Sequence, residues 1–171
     1  MRNAVFALSS LLIVGTVSSA DDWDLTAPTG LKFGLIKGYE NWHVVATHYR
    51  TDKNELRYII GNDKAVEAYR KGMKKFPEGA ILVKIGYSLK KNPAFPKSVE
   101  PDVLQRVEYM IKDSKRFKES AGWGFARFVR DPKTGKYKVF GKSAKDYAQC
   151  FACHKLVEKK DFVFTDYVRR K

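Results

Sequence analysis

Apolar residues recur along the chain at two different periods, and the period changes at turn residues. Trp42 to Arg50 (WHVVATHYR) is rich in β-branched and aromatic side chains and predicts a strand. Leu56 to Ile60 (LRYII) predicts a second strand, closed by Gly61-Asn62-Asp63. Ala65, Val66, Tyr69, Met73 and Phe76 then recur at steps of three and four, which gives one apolar face of a helix from about Asp63 to Lys75. Pro77-Glu78-Gly79 ends it. Ala80 to Leu89 (AILVKIGYSL) predicts a third strand, and Lys90 to Pro101, with its prolines, a loop. Val103 to Lys112 (VLQRVEYMIK) alternates as a strand does. Gly124 to Val129 and Tyr137 to Phe140 predict a hairpin around Pro132-Lys133-Thr134-Gly135. Ser143 to Leu156 predicts a helix opened by the capping box Ser143-Ala144-Lys145-Asp146. Phe162 to Val168 (FVFTDYV) predicts a short final strand. Before all of these, Asp21 to Gly38 is an irregular lead-in with a turn at Pro28-Thr29-Gly30. No repeat or low-complexity tract interrupts the pattern. The expected fold class is α+β: a mainly antiparallel β-sheet with two or three helices.

The first residues follow a different logic. Met1-Arg2-Asn3 is a short basic start, Ala4 to Val17 is apolar or small, and Ser18-Ser19-Ala20 precedes Asp21-Asp22. This is the layout of a secretory signal peptide over residues 1–20, cleaved before a single domain at residues 21–171. The apolar run is too short to span a bilayer in the mature chain. The expected location is therefore the periplasm. With 33 Lys and Arg against 19 Asp and Glu, the chain is basic. The charges are scattered rather than gathered into a stripe, so no nucleic-acid partner is expected. They suit a solvated face or a docking surface for an acidic redox carrier.

The two cysteines fall in one pentapeptide, Cys150-Phe151-Ala152-Cys153-His154. In an exported chain two cysteines ordinarily suggest a disulfide, and with a histidine they can also hold zinc, His43 or His48 supplying a further ligand. The histidine directly after the second cysteine makes C-x-x-C-H, the c-type haem attachment signature. Two thiols add across the vinyl groups of one haem c, and on a helix Cys150 and His154, four residues apart, share a face. His154 is then the axial iron ligand, and the C-terminal helix carries the haem. Tyr147 and Phe151 lie near that face. Candidates for the opposite side of the iron are His43, His48, Met73 and Met110. For the histidines the plain reading is a satisfied or exposed side chain, and for the methionines core packing. An open sixth position favours binding or chemistry on a small molecule over simple electron transfer.

Several ordered motifs make the chain resemble the cytochrome P-460 family and its relative cytochrome c′-β. Ile36-Lys37-Gly38-Tyr39-Glu40-Asn41-Trp42 resembles the entry to the family's first strand, and Phe76-Pro77-Glu78-Gly79 with Leu82-Val83-Lys84 its F-x-(D/E)-G…V-K segment. Glu108 to Phe117 is similar to E-x-x-(V/I)-K-D-x-x-R-F, followed by Gly122-Trp123-Gly124-Phe125. Asp161-Phe162-Val163-Phe164-Thr165 resembles the D-x-V-F ending. The resemblance implies an antiparallel sheet protein, a homodimer and a five-coordinate haem. It implies hydroxylamine oxidation with nitric oxide to nitrous oxide, with Lys84 at the position of a lysine joined covalently to the porphyrin and Glu108 at that of a distal proton acceptor. In cytochrome c′-β, by contrast, nitric oxide is bound without turnover. A low-spin electron carrier is a further alternative. Taken alone, Lys84 shares a strand face with Ala80, Leu82 and Gly86 and reads as a solvated lysine. Glu108, alternating with Arg106 and Lys112, reads as one member of a surface ion-pair row.

Overall fold

The computed structural model describes residues 21–168, so the signal-peptide reading of residues 1–20 lies outside the described residues. Six strands form one antiparallel meander in sequence order: β1 (His43–Arg50), β2 (Glu55–Gly61), β3 (Ile81–Lys91), β4 (Val99–Lys112), β5 (Trp123–Arg130) and β6 (Tyr137–Val139). Among the described residues the helices are α1 (Asp63–Arg70) and α2 (Ala148–His154), supplemented by short 3-10 turns. The α+β class read from the pattern is the one observed.

Side-chain chemistry sets the ends of α1. Asn62 caps it, its Oδ1 accepting from Ala65 N–H at 3.1 Å and also from Ile81 N–H at 3.0 Å. The helix stops at Arg70 rather than near Lys75, because Gly72 takes φ +62° and closes the last turn. Gly72 N–H donates to Tyr69 O and Met73 N–H to Ala68 O, the paired bonds of a left-handed C-cap. Met73 is thereby moved off the apolar face and left exposed.

Three further expectations are corrected. The 90–101 loop shrinks to residues 92–98, because β3 and β4 continue into a long hairpin. Pro101 is tolerated inside β4 because the β3–β4 register shifts at Tyr87 and Leu89, where an N–H can be spared from the ladder. The helix expected over 143–156 forms with its capping box and carries the motif, but only α2 within it is α-helical, Ala144–Tyr147 and Lys155–Lys160 being 3-10. The final strand expected over 162–168 does not form. Asp161 and Phe162 both adopt positive φ, +50° and +65°, which turns the chain away from an extended path. Only Val168 N–H reaches the sheet, donating to Val45 O at 3.1 Å.

One face of the sheet is closed by the lead-in segment. Phe33 stacks on Phe128 at 4.4 Å, and Tyr109 Oη donates to Lys32 O at 2.6 Å. Leu31, Phe33, Ile36, Val83, Val107 and Phe128 are essentially fully buried there. The opposite face looks toward α2 and the chain that follows it, with space between them.

Candidate functional site

Register decides which side chains meet on the open face. Ala46 pairs with Ile59, Ile59 with Lys84, Lys84 with Glu108 and Glu108 with Arg127. Paired residues of neighbouring strands share a face. Lys84, Glu108 and Arg127 therefore form a row across β3, β4 and β5, and the parallel row below it carries His48, Arg57, Gly86 and Arg106. The bland expectation of a solvated polar face fails for Glu108, which is 7 % exposed. Its carboxylate contacts Lys84 Nζ, Arg127 Nε and Arg106 Nε, the last at 3.4 Å. Glu55, more deeply buried still, bridges Arg57 and Arg106 beside it.

These charges fix the protonation states. Burial pushes the Glu108 carboxyl up, and the cations of Lys84, Arg127 and Arg106 outweigh it and hold the group below the usual carboxylate range. Burial lowers the Lys84 ammonium, as do the nearby guanidinium groups, and the Glu108 carboxylate only partly restores it. The carboxylate is compensated by these cations and stays ionised.

The row forms the wall of a cavity of about 1530 Å³ between the sheet and α2. Ligand pockets commonly span roughly 300–1,000 Å³, so this one suits a large flat group. Cys150, Cys153, His154, Lys84 and Glu108 all line it. Both cysteines are free thiols. Among the described residues, no three His, Cys, Asp or Glu side chains converge as a metal site, so the zinc reading finds no further ligand. None of the residues of α2 is buried, although it carries Phe151 and two cysteines. Cys150, Cys153 and His154 face the cavity, while Phe151 packs against Phe162 at 5.3 Å.

His154 is oriented within this cavity. Its Nδ1 lies 2.6 Å from Phe162 O. A carbonyl only accepts, so Nδ1 carries the proton and Nε2 keeps its lone pair. Burial holds the imidazole below its ordinary value, against the opposing effect of that hydrogen bond. The neutral ring is ready to ligate a metal through Nε2. Its ring packs between Phe125 at 5.0 Å and Phe164 at 5.1 Å. Of the sixth-ligand candidates, His48 and Met110 line the cavity. His43 instead pairs with Asp63 at 3.4 Å, and Met73 is exposed outside the lining.

Sequence reasoning missed the basic lining. Arg50, Lys53, Arg57, Arg106, Arg127 and Arg130 all face the cavity against the single acid Glu108. Arg127 also lies over the Phe140 ring at 4.4 Å. The available signal was parity: Arg127 falls on the same alternation as Phe125 in GFARFV. The residues fit a haem. Two free thiols and a neutral histidine face one large cavity, and the basic lining suits the macrocycle's carboxylates. Among the described residues no helix is long and apolar enough to cross a membrane.

Comparison with curated proteins returns no match. The model of one family, cytochrome P-460, matches residues 36–165, a stretch running from the entry to β1 through the segment after α2. With that match over most of its length, and with the motif, cavity and oriented histidine already described, the chain belongs to the cytochrome P-460 family of haem cytochromes.

Proposed function

We propose that this protein is an exported, periplasmic mono-haem c-type cytochrome that oxidises hydroxylamine with nitric oxide to nitrous oxide. Cys150 and Cys153 would hold the haem through thioethers, and His154 Nε2 would ligate its iron. Bound there, the haem would supply a redox-active iron for nitrogen-oxide chemistry. The net reaction converts hydroxylamine and nitric oxide into nitrous oxide, water, one proton and one electron. The electron leaves to a small redox carrier, for which the basic surface is suited. A homodimer is the assembly that the family resemblance implies.

The observation that carries this reading is Glu108. A buried carboxylate, kept ionised by three cations, stands on the wall of the cavity that the thiols and His154 share. In this reading it would accept protons from a bound N–OH compound. Lys84 lies beside it on the wall of the same cavity, which supports its being the position that the resemblance implies for the lysine joined to the macrocycle. The aromatic side chains Phe125, Phe140 and Phe164 line the same space and limit water there.

The test is turnover. Haem-loaded protein supplied with hydroxylamine, nitric oxide and an electron acceptor should form nitrous oxide and reduce the acceptor. Protein that binds nitric oxide in its ferrous form but leaves hydroxylamine intact would instead be a cytochrome c′-β-like binding protein. A low-spin ferrous spectrum that shifts on replacing His48 or Met110 would mark an electron carrier.

A further inference from the structure

Away from the Glu108 wall the structure holds a second buried ion pair that none of this chemistry uses. Lys112 and Asp161 are 8 % and 6 % exposed. Lys112 Nζ donates to Asp161 Oδ1 at 3.0 Å and to Ala121 O at 3.1 Å, and sits 5.0 Å from the centre of the Trp123 ring. Asp161 Oδ2 accepts from Phe76 N–H at 2.8 Å. Every strong contact of the pair is internal, and a buried ion pair is by itself a poor source of stability. Its position in the chain suggests another use.

Asp161 is the first of two consecutive non-glycine residues with left-handed backbone, φ +50° and +65°. Such conformations persist where the surroundings enforce them. The second is Phe162, whose carbonyl oxygen lies 2.6 Å from His154 Nδ1. The chain thus runs from a clamped carboxylate, through one peptide, to the acceptor that sets the tautomer of His154. On its far side the segment is tied by Tyr69 Oη, which donates to Thr165 O at 3.0 Å.

We infer that the Lys112–Asp161 pair is a positioning device for the proximal histidine: it locks the left-handed turn that aims Phe162 O at His154 Nδ1 and so sets the strength of the iron–histidine bond. Neither residue touches the cavity. Both act through the backbone of Phe162. A firm acceptor on Nδ1–H makes the imidazole a stronger donor, which favours ferric over ferrous iron. The inference rests on the reading of His154 as the axial ligand.

The experiment uses the haem-loaded protein with Asp161→Ala, Asp161→Asn and Lys112→Met. The readouts are the iron–histidine stretching frequency of the ferrous form by resonance Raman, the reduction potential and the thermal midpoint. Asp161→Ala should lower the frequency and raise the potential, by about tenfold in the ferric-to-ferrous equilibrium or about 59 mV for one electron. Asp161→Asn keeps an oxygen for Phe76 N–H and should fall between Ala and the parent. It also serves where the Ala variant does not fold. Lys112→Met should move both readouts in the same direction as Asp161→Ala. Variants that lose thermal stability while frequency and potential stay at the parent values would overturn the inference and leave the pair merely structural. Failure of the underlying reading looks different: the parent protein itself would show no histidine-derived band.

Discussion

Replacing Glu108 with Gln keeps shape and removes charge at the centre of the cavity wall. Lys84, Arg106 and Arg127 are then left facing a neutral amide. Breaking a buried ion pair by removing one partner costs roughly 3–5 kcal/mol. Lys84 and Arg127 keep about a third of their side-chain surface in water, 30 % and 31 %, and Arg106 retains Glu55 as a partner. The loss should lie at the low end, about 3 kcal/mol at neutral pH. For a domain of this size that is a fall in Tm of about 6–12 °C. The pH dependence follows from the same contacts. The folded-state carboxyl is held below its ordinary value of 4.5, so its stabilisation is fully present above about that pH and is lost as pH falls through the lower folded value. Glu108→Gln should therefore weaken the acid sensitivity as well as the neutral-pH stability. In turnover, loss of a general base typically costs ~10²–10⁴-fold in rate, while haem content and nitric oxide binding should stay intact. The assays are urea unfolding from pH 3 to 7 and nitrous oxide formation on matched, haem-loaded samples. Full turnover by the Gln variant, or an acid limb as steep as the parent's, would refute the reasoning.

Four further outcomes are expected. Gly124→Ala should destabilise by about 2–3 kcal/mol, since a Cβ there would overlap the Phe117 ring; Phe117→Ala in the same chain should recover part of that loss, measured as a double-mutant cycle in denaturant. His48→Ala and Met110→Leu should leave a high-spin ferrous spectrum unchanged, because neither is expected to fill the sixth position. Asn62→Ala should cost about 1 kcal/mol or more in thermal unfolding, as Asn62 holds both the α1 N-terminus and Ile81 N–H. Lys84→Arg should keep both thioethers and lose any red shift of the Soret band, together with hydroxylamine turnover.

Much of the sheet was legible because β1, β2, β3 and β5 are short runs of β-branched, aromatic and apolar residues bounded by turn residues, and α1 announces itself by a three-to-four period. The C-terminal region was harder to read. Phe162 to Val168 has the composition of a strand, but Asp161, clamped by Lys112 from a strand 49 positions away in sequence, bends the chain before it can pair. Pro101 read as loop because the register shifts that accommodate it depend on both strands at once. The attachment motif was visible as a pentapeptide, since its chemistry is local. Parity alone placed Lys84 on one strand face and Glu108 on another. That the two pair, with Arg127 completing the row, depends on β3–β4–β5 register, which no single strand encodes. The sense of that face was also hidden: a polar row is solvated on most sheets, and here the segment around α2 covers it.

The most direct measurement is the mass of the haem-bearing peptide after trypsin digestion of acid- and solvent-extracted protein. One haem should remain on the peptide containing Cys150, Cys153 and His154, with the segment containing Lys84 joined to the same macrocycle. Colour lost to the solvent, with both cysteines recovered as free thiols, would contradict the account at its centre. A haem peptide without the Lys84 segment would remove the hydroxylamine-oxidising reading and leave a nitric oxide-binding cytochrome.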